Sequence, residues 1–441
     1  MNKSSELLSK LIQNECVNTG ELNSGNESKN IDTLETIFSK YSNSIQIERH
    51  HKVNGRDNLV VRLDGSDRSA PSLLLLGHCD VVPAVSQDWD FDPFAGEISN
   101  GFVHGRGSID MLNLTSSMAL ALEEIIEEGF NPKGNLIFAA VADEENGGKY
   151  GADFLLEEFP ELVTADYVLT ESGGSQLPLG DEIYLPIVVG EKGVHWAELN
   201  IQGIPTHGSK PYGADNAIIS ATEIIDRFVV YKSPISFTDG WETFISALGI
   251  NKDLAEQLSN VDKHDQALKH IDQQLSSVLH SCCHNTFSPN TIIGGTKINT
   301  VADHVKLGID IRSLPGVNEL DIAKMIDDAL GDIREKVTVT YIQHNKSSIS
   351  STDNKFFDIL QNVSRSLIDN AKLIPTIAPY GTDARFFRRR GSIAYGFGLF
   401  SKEISYIDHL NMFHSRNEKV DIESLLLTKE MYKRTIKELL S

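Results

Sequence analysis

Two polar residues that could serve a metal ion follow a run of four leucines early in the chain. The stretch Leu73–Pro83 reads Leu-Leu-Leu-Leu-Gly-His-Cys-Asp-Val-Val-Pro. The leucine run is typical of a strand buried on both faces, and His78 and Asp80 lie on the same side of the extended chain that follows it. A neutral imidazole is a common metal ligand, and a carboxylate at this spacing can fix its tautomer. Taken alone, the pair also fits an ordinary polar contact at a strand end.

Further histidine and acidic residues stand at strand ends or in loops later in the chain. They are Asp110, Glu144, Glu145, Glu171 and His414. All of these except Glu144 form, together with His78, a set of two histidines and three carboxylates. Such a set suits zinc first, with cobalt or manganese as alternatives. Three carboxylates exceed what one catalytic zinc usually takes, which indicates two metal ions about 3.5–4 Å apart that share one carboxylate. Glu144 points away from Glu145 in an extended segment, so it is free to act as the general base that passes a proton from water to a leaving amine.

The elements that must position these residues alternate between strands and helices. Apolar segments at 58–63, 73–77, 135–142 and 167–170 predict strands, and segments 32–41 and 115–128 predict helices. This order indicates an α/β fold with a mostly parallel central sheet flanked by helices, in which ligands bind at the carboxyl ends of the strands. The site residues follow predicted strands in the way this arrangement requires.

The pattern changes near residue 192. Segments 194–202, 216–231, 291–297, 304–312, 319–336 and 337–342 predict the order β-α-β-β-α-β, which is the ferredoxin-like arrangement. We expect an inserted lid and dimerisation domain at 192–345, and a catalytic domain formed by 1–191 and 346–441. The polar stretch 251–284 predicts a helical elaboration within the lid.

Composition narrows the classes of function. The chain has 441 residues and a formal net charge of −22, which argues against a nucleic-acid partner. The first residues show no signal peptide, and no run of eighteen apolar residues suggests a membrane span. Four cysteines, at 16, 79, 282 and 283, are too few and too oddly placed for a disulfide framework. We therefore expect a cytoplasmic protein without a membrane partner.

Several motifs, in order along nearly the whole chain, carry a family resemblance. They are Gly77–Pro83, Trp89–Phe94, Gly105–Met111, Asp143–Glu145, Pro205–Pro211, Gly213–Ala217 and His414–Glu418. The chain resembles the di-zinc metallopeptidase family that includes aminoacylase, glutamate carboxypeptidase, acetylornithine deacetylase and succinyl-diaminopimelate desuccinylase. The resemblance implies a homodimeric hydrolase with two zinc ions per chain.

The resemblance also implies a role for each site residue. His78, Asp110 and Glu171 would bind one zinc and Asp110, Glu145 and His414 the other, with Asp110 bridging. Asp80 would orient His78, and Glu144 would be the base. His207 would reach the partner subunit's active site and stabilise the oxyanion. A substrate carboxylate would be held by Asn299, Arg312, Gly381 and Thr382. Without the resemblance, His207 reads equally well as a surface histidine and Arg312 as part of an ion pair on a strand face.

Two positions depart from the family pattern. Leu112 and Asn113 stand where the family usually has lysine and then small residues, a change that could alter metal affinity. Glu171 lies in Thr-Glu-Ser-Gly-Gly instead of the Glu-Pro sequence of the deacetylases. This difference argues against the substrates of acetylornithine deacetylase and succinyl-diaminopimelate desuccinylase.

The sequence thus predicts hydrolysis of an amide or peptide bond next to a free carboxylate, in an N-acyl amino acid or a small peptide. The alternative is a catalytically silent binding or scaffold protein of the same fold, for which the changes at Leu112 and Asn113 are the only support. Acyl-group and side-chain preference, and the physiological metal, stay open.

The cysteines offer two weaker candidates. Alternation along the strand points Cys79 away from His78, which argues against a nucleophilic role. Cys282-Cys283-His284 could bind metal, but two adjacent cysteines and one histidine lack a full ligand set, so packing is the favoured interpretation.

Overall fold

The computed structural model describes residues 2–441, and these form seventeen strands and fifteen α-helices. The strands are β1 Gln46–His51, β2 Asp57–Leu63, β3 Leu73–His78, β4 Ile98–Ser99, β5 Phe102–His104, β6 Leu136–Val141, β7 Tyr167–Thr170, β8 Leu177–Leu179, β9 Glu182–Glu191, β10 Gly193–Gln202, β11 Thr286–Gly294, β12 His304–Ser313, β13 Val337–Asn345, β14 Ser348–Ile349, β15 Ala371–Ala378, β16 Ile393–Gly396 and β17 Lys419–Asp421. The helices are α1 Lys3–Gln13, α2 Ser28–Ser39, α3 Leu112–Glu127, α4 Ala152–Glu158, α5 Pro160–Val163, α6 Ala217–Val230, α7 Trp241–Ala247, α8 Lys252–Leu258, α9 His264–Ala267, α10 Gln273–Cys283, α11 Glu319–Leu330, α12 Lys355–Leu367, α13 Ala384–Arg388, α14 Tyr406–Met412 and α15 Ile422–Leu440.

A large sheet forms the centre of the molecule. Its strand order is β1-β2-β6-β3-β7-β16-β9-β14, and β8 and β15 also pair with β9. The central strands β6, β3, β7 and β16 run parallel, the pairs β1–β2, β2–β6, β16–β9 and β9–β14 are antiparallel, and β15 is parallel to β9. Every residue of β3 is buried, as its leucine run predicts, because helices cover both faces of the sheet. The predicted α/β fold with a helix-flanked central sheet is confirmed.

A close approach between β3 and α3 explains one residue of the leucine stretch. A Cβ atom on Gly77 would lie 2.4 Å from Thr115 Oγ1 and 3.2 Å from Thr115 Cα. The Thr115 hydroxyl donates to the main-chain oxygen of His78 over 2.9 Å. Only glycine therefore lets the helix that follows Asp110 pack directly against the strand that ends at His78.

A second, four-stranded antiparallel sheet has the order β11-β12-β10-β13. Helices α6 and α11 pack on it and enclose a separate core that includes Leu199, Ile224, Leu307 and Ile326. The chain order β10-α6-β11-β12-α11-β13 is the ferredoxin-like order that the sequence predicts, although β11 ends at Gly294, earlier than the predicted strand. The exact domain boundaries stay a prediction.

Helices α7–α10 occupy an unexpected place. Their apolar side chains, such as Trp241, Phe244 and Leu279, form one cluster with Leu177 of β8 and Ile374 of β15. The cluster extends to Tyr406 of α14. Each of these helices has at most eleven residues and buries little surface by itself. The segment therefore packs against the region of the large sheet and does not lie only beside the lid sheet. None of the helices within residues 2–441 is long and apolar enough to cross a membrane.

Candidate metal centre

The predicted metal ligands come together at one edge of the large sheet. His78 ends β3, Glu145 lies in a single helical turn just after β6, and Glu171 directly follows β7. Because β6, β3 and β7 are adjacent and parallel, their carboxyl ends meet at this edge. Asp110 is brought there by the loop before α3, and His414 by the loop after α14.

Asp110 lies between the two histidines. Its Oδ1 is 3.2 Å from His78 Nε2, and its Oδ2 is 3.2 Å from His414 Nε2. On the outer sides, Glu171 Oε2 is 3.8 Å from His78 Nε2 and Glu145 Oε2 is 3.0 Å from His414 Nε2. Each oxygen of Asp110 thus faces a different histidine–carboxylate pair, which is the arrangement that a bridging carboxylate needs.

Glu144 points into the same centre. Its Oε2 lies 4.0 Å from His78 Nε2, on the side occupied by Glu171. His78, Glu144 and Glu171 form one group whose ligand atoms lie within 4.8 Å of one another, and His78, Asp110 and Glu145 form a second. Both groups have a composition and spacing that could hold a metal ion.

The buried centre contains more acidic side chains than cationic ones. Burial and the neighbouring carboxylates raise the pKa values of Glu144, Glu145 and Glu171 above the usual range. Burial also acts on Asp110, but hydrogen bonds from His414 and His78 outweigh it and lower the pKa of Asp110. Glu145 Oε1 is buried without a hydrogen-bond partner among residues 2–441. Buried acidic groups in such excess over cationic ones are the chemistry of a site for divalent cations, so the donor set fits two of them.

Asp80 supports the site through its main chain as well as its side chain. His78 Nδ1 lies 2.9 Å from the main-chain oxygen of Asp80 and 3.5 Å from its carboxylate. Donation from Nδ1 leaves the Nε2 lone pair facing the centre. The Asp80 carboxylate accepts from the main-chain nitrogens of Glu144 and Glu145, each over 3.2 Å, and from Asn18 Nδ2 over 2.8 Å. Its carboxylate therefore holds the turn that carries the predicted base.

Glu418 supports Asp110 in a way that the sequence does not reveal. Its fully buried carboxylate accepts from the main-chain nitrogens of Ile109 over 2.6 Å, Asp110 over 3.0 Å and Gly107 over 3.1 Å, and from Arg106 Nη1 over 2.7 Å. These bonds fix the loop that presents the bridging carboxylate. The only sequence signal was that Glu418 closes the motif that begins at His414.

Comparison with known proteins places this geometry in a family. The sequence pattern of peptidase family M20/M25/M40 matches residues 74–438. The chain belongs to this family. The M20 family comprises metallohydrolases that act on amide and peptide bonds, so the sequence-based recognition is confirmed.

Relatives of this M20 chain differ in what their names describe. N-fatty-acyl-amino acid synthase/hydrolase PM20D1 of Xenopus tropicalis is 24% identical over 90% of this chain and 78% of its own length. An M20 family metallo-carboxypeptidase of Sulfolobus solfataricus has the same fold, with a TM-score of 0.73 at 16% identity, over 100% of this chain and 99% of its own. A dinuclear metal-binding M20 peptidase of Bacillus subtilis has a TM-score of 0.61 at 14% identity, over 99% and 98% of the two chains.

The M20 chain carries a further buried carboxylate that the sequence did not single out. Asp383 is 2% exposed, and neither of its oxygens has a hydrogen-bond partner in residues 2–441. Burial raises its pKa to about 7, and its charge contributes to the raised pKa values of Glu144 and Glu171. Its position directly after the predicted residues Gly381 and Thr382 was the signal that could have pointed to Asp383 in the sequence. Thr382 itself donates from its main-chain nitrogen and its hydroxyl to Glu191 Oε2.

The predicted lid residues lie apart from the metal centre and bind their own neighbours. His207 is exposed, and its Nδ1 accepts from the Ser209 hydroxyl over 2.8 Å. Arg312 makes a two-pronged ion pair with Asp310 on its own strand, over 2.8 and 3.0 Å. Asn299 is exposed, and its main-chain oxygen accepts from the nitrogen of Gly208. The structure therefore assembles the sheet-end residues but not these three.

An apolar cavity of about 190 Å³ opens beside the metal centre. It begins at Ser172, next to Glu171, and reaches Phe413, next to His414. Its walls come from α7, α10, α14 and β15 and include Trp241, Phe244, Val278, Ile377, Tyr380 and Leu410. The helices that pack unexpectedly against the large sheet thus form one wall of this cavity.

The departures from the family pattern lie behind the site. Leu112 is 1% exposed and belongs to the main core, where it packs near Gly107. Asn113 is also buried, and its side-chain oxygen has no hydrogen-bond partner among the described residues. Neither change removes one of the predicted ligands.

Proposed function

We propose that the protein is a zinc-dependent hydrolase that cleaves an amide or peptide bond in a small substrate with a free carboxylate. The observation that carries the proposal is the convergence of His78, Asp110, Glu145, Glu171 and His414, with Glu144 beside them. One zinc would be held by His78, Asp110 and Glu171, and the other by Asp110, Glu145 and His414. Cobalt or manganese would suit the same donors.

The chain's own residues supply acid–base chemistry and orientation. Divalent cations at this centre would polarise the scissile carbonyl and make water more acidic. Glu144 takes a proton from the attacking water as the new carbon–oxygen bond forms, and then delivers that proton to the nitrogen of the leaving amine, so that the carbon–nitrogen bond breaks. Asp80 holds the Glu144 main chain in place during this transfer. Asn299, Arg312, Gly381 and Thr382 are the candidates to bind the substrate carboxylate.

The apolar cavity supports a substrate with a large apolar group. Its walls are aromatic and aliphatic, and it begins beside Glu171 and His414. An acyl chain or an apolar side chain placed there would keep the scissile bond at the metal centre. The relationship to an N-fatty-acyl-amino acid synthase/hydrolase supports N-acyl amino acids as the first substrates to test.

The lid supports the proposal of a homodimer. Strand β11 lies at the edge of its sheet, and apolar side chains on β11 and α6 are exposed to solvent. These side chains are Ile218, Ile219, Ile292 and Ile293. An exposed apolar edge strand favours pairing with another chain, and a second copy would cover both elements. In such a dimer His207 would serve the active site of the other copy. Four free, buried cysteines support a reducing, cytoplasmic environment.

Replacement of the base tests the proposal. We expect Glu144→Gln to lower kcat for N-acyl amino acids by about 10²–10⁴-fold, because the amide cannot accept a proton. Its zinc content, measured by mass spectrometry of the metal, should equal that of the wild type. Glu161→Gln, an exposed glutamate, is the matched control. Full activity in Glu144→Gln would contradict the mechanism, and tight binding of an acyl amino acid by zinc-loaded wild type without turnover would favour the silent binding protein.

A further inference from the structure

A second group of metal-binding side chains lies in the helical segment, outside the metal centre. His264 begins α9, Cys283 ends α10, and His284 follows it. All three are at most 2% exposed. Their candidate ligand atoms lie within 4.8 Å of one another, and the group shares no residue with the centre around Asp110. The sequence pointed to Cys283 and His284 but offered no reason to join them to His264, nineteen residues away.

Each histidine of this group is held with one ring nitrogen toward the cysteine. His264 Nδ1 lies 2.6 Å from the main-chain oxygen of Leu258, which leaves Nε2 3.2 Å from Cys283 Sγ. His284 Nδ1 lies 3.2 Å from the same sulfur and 3.1 Å from the main-chain oxygen of His280, and its Nε2 lies 3.2 Å from Asp265 Oδ1. The oxygen acceptor at His264 Nδ1 places the lone pair of that ring on Nε2, which faces the sulfur. In the tautomer of His284 that carries its proton on Nε2, facing Asp265, a second lone pair would face the same sulfur.

The single thiol proton can be donated to only one of the acceptors around Cys283. Cys283 carries one proton, and it faces His264 Nε2, His284 Nδ1 and also the main-chain oxygen of Leu279, which is 3.2 Å away. A cation bound by the thiolate would use both imidazole lone pairs at once. Typical zinc–sulfur and zinc–nitrogen bonds of about 2.3 and 2.0–2.1 Å imply sulfur–nitrogen separations of about 3.5 Å in a tetrahedral site. The two observed separations are close to this value.

We propose that His264, Cys283 and His284 form a second metal site, for a thiophilic divalent cation such as Zn²⁺. The ligands are His264 Nε2, the Cys283 thiolate and His284 Nδ1, and Asp265 orients His284. On binding, the metal–sulfur bond replaces the sulfur–hydrogen bond, and the thiol proton leaves to solvent. A surface cavity lined by Lys232, Asp265 and His280 reaches His284, and through it an ion and a water as fourth ligand would enter from solvent.

The bound ion would tie α9 to the end of α10, and α10 also carries Val278 of the apolar cavity. The site is independent of the proposed hydrolytic function.

Cobalt substitution of the full chain tests the site, because a cobalt–thiolate bond has a charge-transfer absorption that ligation by histidine and carboxylate lacks. We expect wild-type protein loaded with Co²⁺ to show this band, and Cys283→Ser to lose it together with one metal ion per chain. Cys282→Ser, which alters the adjacent buried cysteine, is the matched control and should keep the band. Absence of the band in the wild type, or its persistence in Cys283→Ser, would overturn the proposal.

Two further variants guard against loss of folding as an explanation. Asp265→Asn leaves all three ligands in place, and we expect the band to persist at saturating cobalt while cobalt affinity falls about 10–100-fold. An unchanged affinity would contradict the role of Asp265. Should Cys283→Ser fail to fold, His264→Gln decides, with loss of one metal ion per chain and a native circular dichroism spectrum as the expected result. Full metal content in His264→Gln would overturn the site.

Discussion

The sheet edge and the lid hold their predicted site residues in different ways. At the sheet edge, single contacts of 3.0–3.8 Å join Asp110, His78, His414, Glu145 and Glu171 within one chain. On the lid, His207 and Arg312 instead bind side chains two residues away. The backbone of the parallel strands positions the first group, whereas the second group would act at the metal centre only if a substrate or a second copy of the chain brought it there. Metal binding and lid function should therefore respond separately to mutation.

The largest expected effect comes from the residue shared by both halves of the metal centre. Asp110→Ala removes the carboxylate between His78 and His414, so we expect both metal ions and all measurable hydrolysis to be lost. Metal analysis after dialysis, together with an activity assay, measures the change. Asp88→Ala, which alters an exposed aspartate between β3 and β4, should behave as the wild type. Retention of two metal ions by Asp110→Ala would show that metal binding at the sheet edge does not depend on a bridging carboxylate.

A lid variant should separate activity from metal content. We expect His207→Ala to lower kcat by about 10²–10³-fold, the usual effect of losing one donor to a developing oxyanion, and to retain both metal ions. His270→Ala, another exposed histidine, is the control.

Mixing tests whether His207 acts on the second copy. Hybrid dimers of His207→Ala and Glu144→Gln would contain one intact site, so activity should reappear after the two inactive proteins are denatured and refolded together. No recovery in confirmed hybrids would show that His207 acts within its own chain or has no catalytic role.

Loss of the Glu418 carboxylate, which supports the loop of Asp110, should have a smaller effect on metal binding. In Glu418→Gln the new NH₂ group faces main-chain N–H donors, so the loop that carries Asp110 loses part of its anchorage. We expect zinc affinity to fall about 10–100-fold, which competition with a chelator measures, while activity at saturating zinc stays close to normal. Glu423→Gln, exposed in the first turn of α15, is the control. Unchanged affinity would mean that the remaining bonds hold the loop without this charge.

Filling the apolar cavity should have the smallest effect, a change in substrate preference alone. Val278→Phe fills part of the cavity, so kcat/KM for long-chain N-acyl amino acids should fall about tenfold relative to N-acetyl amino acids. Metal content should stay the same. An equal loss for both substrate types would place the long chain elsewhere.

The sequence predicted the parts of the molecule that depend on local pattern. Leu73–Leu76 indicated a buried strand and Asp110 a helix start, and the rule that parallel strand ends meet accounts for the gathering of His78, Glu145 and Glu171. The order of strands and helices after residue 192 was enough to predict the ferredoxin-like lid.

The rest depends on contacts between distant segments. Glu418 accepts hydrogen bonds from main-chain groups about three hundred residues earlier, and such contacts leave no periodic signal. The position of α7–α10 follows from which apolar surface they cover, which their own sequence does not specify. His264 could join Cys283 and His284 only after the helices were placed in space.

The two histidines of the metal centre differ in their access to water. The His78 side chain is 1% exposed, whereas that of His414 is 55% exposed. Dissociation of a ligand from a metal is assisted by water that takes its place, so the half of the centre built on His414 and Glu145 should exchange its ion faster. Stepwise treatment with a chelator should then yield a half-depleted protein in which the ion on the His78 side remains.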